Sequence, residues 1–181
     1  NTIEILLKEK VNLIGAGRTD TGVNAIGQVA NFRTDKTIDD IEKFRYSLNS
    51  LLPNDIAIKK IEQVQKDFHA RFDAKSRSYI YLILTEKDPF YNNFAYFYPK
   101  LVNYSIDQLN NLSKQLIGRF DFTSFSKRNT DTKHNFCNVT NAYWRKLGNK
   151  ILFLIEADRY LHGMVRTTVG TIIRCLQNNE P

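Results

Sequence analysis

The segment from Cys137 to Tyr160, CNVTNAYWRKLGNKILFLIEADRY, constrains the fold more than any other stretch of the chain. Two runs of alternating apolar and polar residues flank Gly148-Asn149, a pair suited to a tight turn, and such a pattern folds back on itself as a β-hairpin. The next segment, LHGMVRTTVGTIIRCLQ, carries Val165, Val169, Ile172 and Leu176 at spacings of four, three and four, the apolar stripe of a helix. Upstream, TIEILLKEK has the pattern of the last turns of a helix, VNLIG of a short apolar strand and GQVANFRT of an alternating strand. Thr37 and Asp40 form a capping pair before IDDIEKFRYSLNSLL, a helix that Pro53 ends. DIAIKKIEQV and SRSYIYLILTE are predicted strands. Ser105 and Gln108 repeat the capping pattern before IDQLNNLSKQLIG, with Gly118 as its stop. Strand pairs in series with interposed helices predict an α+β fold on an antiparallel sheet. Charge and element order divide the chain near residue 100, into lobes 1–100 and 101–181.

The charge is basic and unevenly spread. The chain of 181 residues has 26 Lys and Arg against 19 Asp and Glu, a net charge of +7. Residues 1–100 hold 15 basic and 13 acidic residues, and residues 101–181 hold 11 and 6, so the second part is the more cationic. That balance favours a polyanionic partner. Hydrophobic residues make up 42 %, which supports a packed core and excludes global disorder. Two cysteines allow one disulfide at most and fit a reducing, cytoplasmic setting. No apolar run approaches the roughly 18–20 residues that a membrane helix needs, and no signal peptide precedes the first strand. The chain begins without Met, inside the end of a helical pattern, and stops on QNNEP just past another, so both ends have the look of cuts through a longer protein.

Four of the 8 glycines lie in GAGRTDTGVNAIGQVANF, residues 15–32, around Arg18 and Asp20. Glycine lets a ligand approach the backbone closely, so this loop is shaped around something. Asp20 is either a turn residue ahead of Gly22 or a carboxylate that faces a cleft as nucleophile or base. Arg18 is placed to touch a phosphate or to fill the space left by a displaced base. Arg166 follows Val165 by one residue, about 100° around the helix, and is either a solvated edge residue or a cation beside the stripe. His162 lies four residues before it, on the same helix face. Tyr79 and Tyr81 share one face of a strand. His134 and Cys137 have an H-x-x-C spacing without a second pair, which is not a zinc site.

The loop and four further blocks, LPNDIAI (52–58), DFHARFDAKSRSYIY (67–81), GRFDFTSF (118–125) and HGMVRTTVG (162–170), resemble in order the blocks of the tRNA pseudouridine synthases of the TruA family. The resemblance runs from about residue 14 to the last helix. It implies the pseudouridine synthase fold: two related lobes on a continuous antiparallel sheet with helices, and a basic cleft between them. It implies an isomerase that detaches uracil from its ribose, turns it and rejoins it through C5, in the anticodon stem-loop of tRNA at uridines 38–40. No metal, nucleotide or redox cofactor is implied, and the glycine loop lacks the G-x-G-x-x-G and P-loop patterns. A homodimer whose subunits together hold one tRNA is implied as well.

The same resemblance makes Asp20 the nucleophile, attacking either the uracil ring or the ribose C1′, with Arg166 its ion-pair partner. Tyr79 stacks on the target uracil and Arg71 lies near the RNA. An ionised carboxylate in a dry pocket needs a cation nearby. A uridine drawn from its stack needs an aromatic platform. His69 is structural or in contact with RNA. Among the scattered basic residues, Lys75, Arg77, Lys127 and Arg128 are the ones expected along an RNA-binding groove, with Lys133, Arg145 and Lys146 as further surface charge. Asn24 stands where the family commonly has His, so a titrating role there is lost. The family's N-terminal strand and the part beyond the last helix are absent. Two other readings remain: a non-catalytic tRNA-binding module that retains the fold, and a pseudouridine synthase acting on another RNA.

Overall fold

The computed structural model describes residues 1–127 and 134–178 of the chain. Contacts divide them into two compact units, residues 1–19 with 25–74, and residues 20–24 with 75–181. The division therefore falls between Ala74 and Lys75 rather than near residue 100. The strand that follows Lys75 pairs along its whole length within the second unit, and that pairing outweighs the change in charge that suggested the later position. Arg128 and Lys133 lie outside the described residues.

In the first unit, helix α1 (Thr2–Leu7) starts on the Asn1 side chain, which accepts from the Ile3 amide. Helix α2 spans Ile41–Leu51. Its cap is Asp40 alone, whose carboxylate accepts from the Lys43 amide at 2.8 Å, so Thr37 takes no part in the capping expected of the pair. Ile3, Leu7, Val11 and Leu48 form a small core, with Phe32, Phe44, Ile58 and Ile61 packed on it. The strand expectations here were too generous. Only β1 (Ile14–Gly15) and β2 (Ala30–Asn31) pair, antiparallel, as a two-stranded ladder. DIAIKKIEQV forms no strand. The Asn49 side chain instead takes both backbone groups of Ile58, accepting from its amide at 2.7 Å and donating to its carbonyl at 2.9 Å. One side chain thus satisfies the donor and acceptor that a ladder would otherwise need.

The second unit is built on a five-stranded sheet in the order β4-β3-β7-β6-β5. Strand β3 spans Arg77–Leu84, β4 Tyr96–Phe97, β5 Gly118–Asp121, β6 Phe136–Leu147 and β7 Lys150–Ala157. The hairpin forms as the alternation requires: Leu147 pairs with Lys150 across the two-residue turn, and Trp144 with Phe153. Every β7 residue from Arg77's partner Ala157 to Leu84's partner Lys150 also pairs with β3. One pairing departs from an all-antiparallel sheet, because β4 runs parallel to β3. Among the described residues the ladders form a two-stranded sheet and a five-stranded one.

Ile151, Phe153, Ile155 and Ala157 of β7 point to one face with Trp144, Ala142 and Val139 of β6, and form the main core. Helix α3 (Ile106–Lys114) and helix α4 (Met164–Asn178) contribute Leu109, Met164, Val169, Ile172 and Ile173 to it. Ser105 and Gln108 form the expected capping box at the start of α3. That helix ends at Lys114, however, and Gly118 opens β5 instead of stopping the helix. The indole N–H of buried Trp144 donates to Ser113 Oγ at 2.8 Å, and its amide donates to Asn110 Oδ1 at 2.7 Å, so α3 is pinned to β6 by polar contacts as well as apolar ones. Among the described residues no helix is long and apolar enough to cross a membrane.

Candidate active site

Residues 20–24 belong to the second unit although the chain on either side of them belongs to the first. They form a turn in which the Val23 amide donates to the Asp20 carbonyl at 3.2 Å. Gly22, at the third position, has φ of +83°, the left-handed angle that a type II turn demands there and that a side chain resists. The Asn24 side-chain amide donates to the Gly22 carbonyl at 3.4 Å and braces the same turn. Asp20 is therefore a turn residue in its backbone. Its side chain does something more.

The Asp20 carboxylate meets two side chains. Oδ2 lies 2.7 Å from Arg166 Nη2, and Oδ1 lies 3.4 Å from His162 Nε2. Arg166 stands in the first turn of α4, fixed by the burial of Met164 and Val169 on either side of it. His162 lies outside that helix, in the turn that leads into it, where the Met164 amide donates to the Leu161 carbonyl. Gly163, between them, has φ of +78°. The helix thus does not reach back from Met164 to His162, and the spacing of four brings His162 and Arg166 to one carboxylate by way of a glycine turn rather than along a helix face. The side chains of Asp20, His162 and Arg166 are 35 %, 45 % and 62 % exposed, so water reaches this ion pair and a ligand can too.

His162, Gly163, Arg166 and Thr167 line an open cavity of about 430 Å³ together with Ser126 and Lys127. The Lys127 amide donates to the His162 carbonyl at 2.9 Å, which holds that segment against the turn. Among the described residues the cavity wall presents Lys127, Arg166 and His162, a lining suited to an anion. A larger cavity of about 810 Å³, in the first unit, is lined by Asp67 and Asp73 with Gln63, Val64, Gln65 and Phe68, and offers no cation. Size alone would favour it, but its charge is wrong for nucleic acid.

Tyr79 and Tyr81 lie half-buried on the core face of β3, as their spacing requires. The Tyr79 ring meets that of Tyr160 edge-on, with centroids 4.8 Å apart. Tyr160 is fixed in turn, because its hydroxyl donates to the carbonyls of Ile155 and Arg77, at 2.9 and 3.1 Å. Burial, with Tyr79 and nearby carboxylates adding to it, pushes the Tyr160 hydroxyl well above the ordinary tyrosine range. Burial also raises Tyr81, as does Tyr96, while the Arg166 charge pulls it the other way; Tyr81 therefore lies within the field of the Asp20 partner. Neither Tyr160 nor Tyr81 was singled out from the sequence, where nothing separates them from other strand and loop tyrosines.

The remaining expected residues are spread over both units. Arg18 is exposed on the glycine loop of the first unit, where Gln28 Nε2 donates to the Gly17 carbonyl at 2.9 Å. Arg71, also in the first unit, lies over the exposed Phe72 ring at 5.9 Å from its centroid. His69 meets that same ring at a tilt of 32°, with centroids 4.2 Å apart, and accepts from the Arg71 and Phe72 amides. In the second unit, Lys75 and Lys127 are exposed. Arg77 is partly buried and donates to the Asp158 carbonyl at 2.8 Å, so part of its guanidinium serves the sheet end rather than a groove. His134 pairs with Arg159 at 3.2 Å, and Cys137 is buried, its thiol pushed up to about 11 by desolvation.

The family model for tRNA pseudouridine synthase matches residues 1–73 and 112–181, which include Asp20, His162 and Arg166. The tRNA pseudouridine synthase A of Parabacteroides distasonis is 43 % identical over 171 residues, 94 % of this chain and 67 % of that protein. The protein of that name from Bacteroides thetaiotaomicron is 40 % identical over 174 residues, 94 % of this chain and 64 % of its own length. That from Brachyspira hyodysenteriae is 38 % identical over 177 residues, 96 % and 70 %. The chain thus spans about two thirds of the length of these relatives. With Asp20 in a glycine turn, paired to the arginine of the block before the last apolar stripe, and with identity at this level over most of its length, the chain belongs to the tRNA pseudouridine synthase family.

Proposed function

We propose that the chain isomerises uridine to pseudouridine in tRNA with Asp20 as the nucleophile. The observation that carries this reading is the Asp20–Arg166 ion pair of 2.7 Å, set beside an open basic cavity. The guanidinium balances the carboxylate's charge when a base displaces water from the site, and the free carboxylate oxygen is what attacks. Asp20 attacks the uracil ring or the ribose C1′. The C1′–N1 bond breaks, the uracil turns, a C1′–C5 bond forms, the bond to the Asp20 oxygen breaks to return the free carboxylate, and the C5 proton leaves to solvent while N1 takes one up. Atoms balance without an oxidant, a reductant or a second substrate. Tyr79, kept in place by the Tyr160 edge, supplies the platform for the extruded base. Lys75, Lys127, Arg71 and Arg18 take phosphates, and the site acts on the anticodon stem-loop at positions 38–40, where shape and backbone rather than base edges are read.

The same reading includes two related lobes on a continuous antiparallel sheet, and a homodimer that holds one tRNA. The far side of the five-stranded sheet supports the dimer. Ile80 is 53 % exposed there, with Leu82, Leu152, Leu154 and Tyr143 beside it and Arg145 opposite Leu152, an apolar row with one flanking cation that a second copy could cover.

The test is release of tritium from C5-labelled uridines in an unmodified tRNA, with Asp20→Asn alongside the native sequence. Release by the native chain and none by the variant is expected. Equal release from both would remove Asp20 from the chemistry. Binding of tRNA without release from either would favour the non-catalytic module, and release from another RNA in preference to tRNA would overturn the substrate.

A further inference from the structure

Phe72 is an apolar ring held out in solvent on a loop that is well fastened. It is 75 % exposed, whereas Ala70, two residues earlier, is buried. Asn31 of β2 pins the loop: its Oδ1 accepts from the Ala70 amide at 2.8 Å and its Nδ2 donates to the Phe68 carbonyl at 3.4 Å. Within the loop, the Phe72 and Asp73 amides donate to the His69 carbonyl at 3.0 and 2.9 Å, and the Asp73 carboxylate accepts from the His69 amide at 2.7 Å. These bonds satisfy the backbone on both sides of Phe72, so the ring is presented by an ordered turn. All of these residues belong to the first unit.

Two side chains set the chemistry around the ring. The His69 imidazole lies against it, with centroids 4.2 Å apart, and the Arg71 guanidinium carbon stands 5.9 Å from its centroid. An exposed ring beside a guanidinium offers what an unpaired nucleotide requires, a π-face for the base and a cation for the phosphate. A protein partner needs a far larger apolar area than one ring bordered by Arg71 and Asp73. We propose that Phe72 is an RNA-stacking residue, whose ring takes an unpaired base of the bound tRNA while Arg71 meets the adjoining phosphate. The proposal rests on the reading of tRNA as the substrate. It concerns binding, so its loss appears in the dissociation constant and in KM, and not in the rate at saturating tRNA.

The test is the dissociation constant for unmodified tRNA, measured across a range of salt, for the native chain, Phe72→Leu, Phe72→Trp and Arg71→Gln. Phe72→Leu should bind about tenfold more weakly, the weight of one stacked base, with its salt dependence unchanged because no charge is lost. Arg71→Gln should bind more weakly and also lose about one unit of salt slope, the mark of one phosphate contact. Phe72→Trp keeps a stacking face and should bind at least as tightly as the native chain. Its fluorescence should be quenched on adding tRNA, read against the native chain, whose one tryptophan, Trp144, is buried. On a blunt RNA duplex with no unpaired base, native and Phe72→Leu should bind alike. Phe90→Leu, at a phenylalanine 87 % exposed in the second unit, should keep native affinity for tRNA, so a general loss of exposed apolar surface does not imitate the result. The single-turnover rate of Phe72→Leu at saturating tRNA, read by tritium release, should equal that of the native chain, which a misfolded variant would not match. An unchanged dissociation constant in Phe72→Leu, or an equal loss on the blunt duplex, overturns the proposal. The stacking contact is read by binding and the nucleophile by chemistry, so the two readings fail separately: unchanged affinity in Phe72→Leu strikes this one, and an active Asp20→Asn strikes the other.

Discussion

At the scale of single residues, Asp20 shows how a turn residue presents its carboxylate to a cation. Its carbonyl closes a turn that Gly22 permits, which fixes the Cα, and its carboxylate then faces Arg166 without any strain on the chain. The pair is exposed, so it contributes little to stability, between 0 and about 1 kcal/mol. Its value is expected in the reaction, when substrate excludes water and the same charges interact more strongly. Arg166→Gln should therefore lower the single-turnover rate on the order of 10²-fold, the effect of losing one preorganised stabilising group. The melting temperature should move by no more than about 4 °C. Arg166→Lys keeps the charge without the planar fork and should fall between the two. A rate unchanged in Arg166→Gln, measured by tritium release beside a thermal melt, would leave the ion pair without a part in catalysis. Residue identity announced Asp20 and Arg166. It did not announce their meeting with His162, because a glycine at φ +78° intervenes and no helical wheel describes that segment.

At the scale of elements, short-range signals succeeded where the element supplies its own partners. The capping box of α3 is the clearest case. Ser105 Oγ accepts from the Gln108 amide at 3.1 Å, and Gln108 Oε1 accepts from the Ser105 amide at 2.8 Å, so both bonds close within four residues. Ser105→Ala should cost about 1 kcal/mol, lowering the melting temperature by about 2–4 °C, with Gln108→Ala costing less. An unchanged melt for Ser105→Ala would show that packing of α3 on Trp144, and not its cap, sets the helix start. Strands were legible only where a neighbour was also legible. The hairpin carries its own partner and was read correctly. The 55–64 segment had the right pattern, but the Ile58 backbone groups are served by the side chain of Asn49 in α2, and no strand forms. β4 was invisible, since two residues with no alternation gain a strand's geometry only by lying beside β3.

At the scale of the whole molecule, the uncovered face of the five-stranded sheet bears on assembly. Leu152 and Leu154 lie opposite Leu82 and Ile80, with Tyr143 beside Leu154, while Ser78, Glu156 and Arg145 stand at the margin. If this face joins two copies, Leu154→Glu places a charge at its centre and should convert a dimer to a monomer in sedimentation equilibrium at micromolar concentration. A native chain that is already monomeric under those conditions would overturn the dimer. The face could be inferred as a pattern, since β7 alternates in phase with β3. That one side would be covered by α3 and α4 and the other left bare was not legible, because the choice depends on which side the two helices cross.

The sequence by itself determined the α+β class, the hairpin, the caps of α3, the apolar stripe of α4 and the family, because each is written in residues close together or in blocks whose order survives without any folding. Only the tertiary structure decided which side chains converge on Asp20, where the compact units divide and which candidate cations stand free. Arg77 shows the reason. Its charge is legible anywhere, but its bond to the Asp158 carbonyl exists only because β3 and β7 pair across eighty residues of chain. Long-range contacts of that kind are set by the packing of whole elements, and no local pattern encodes them.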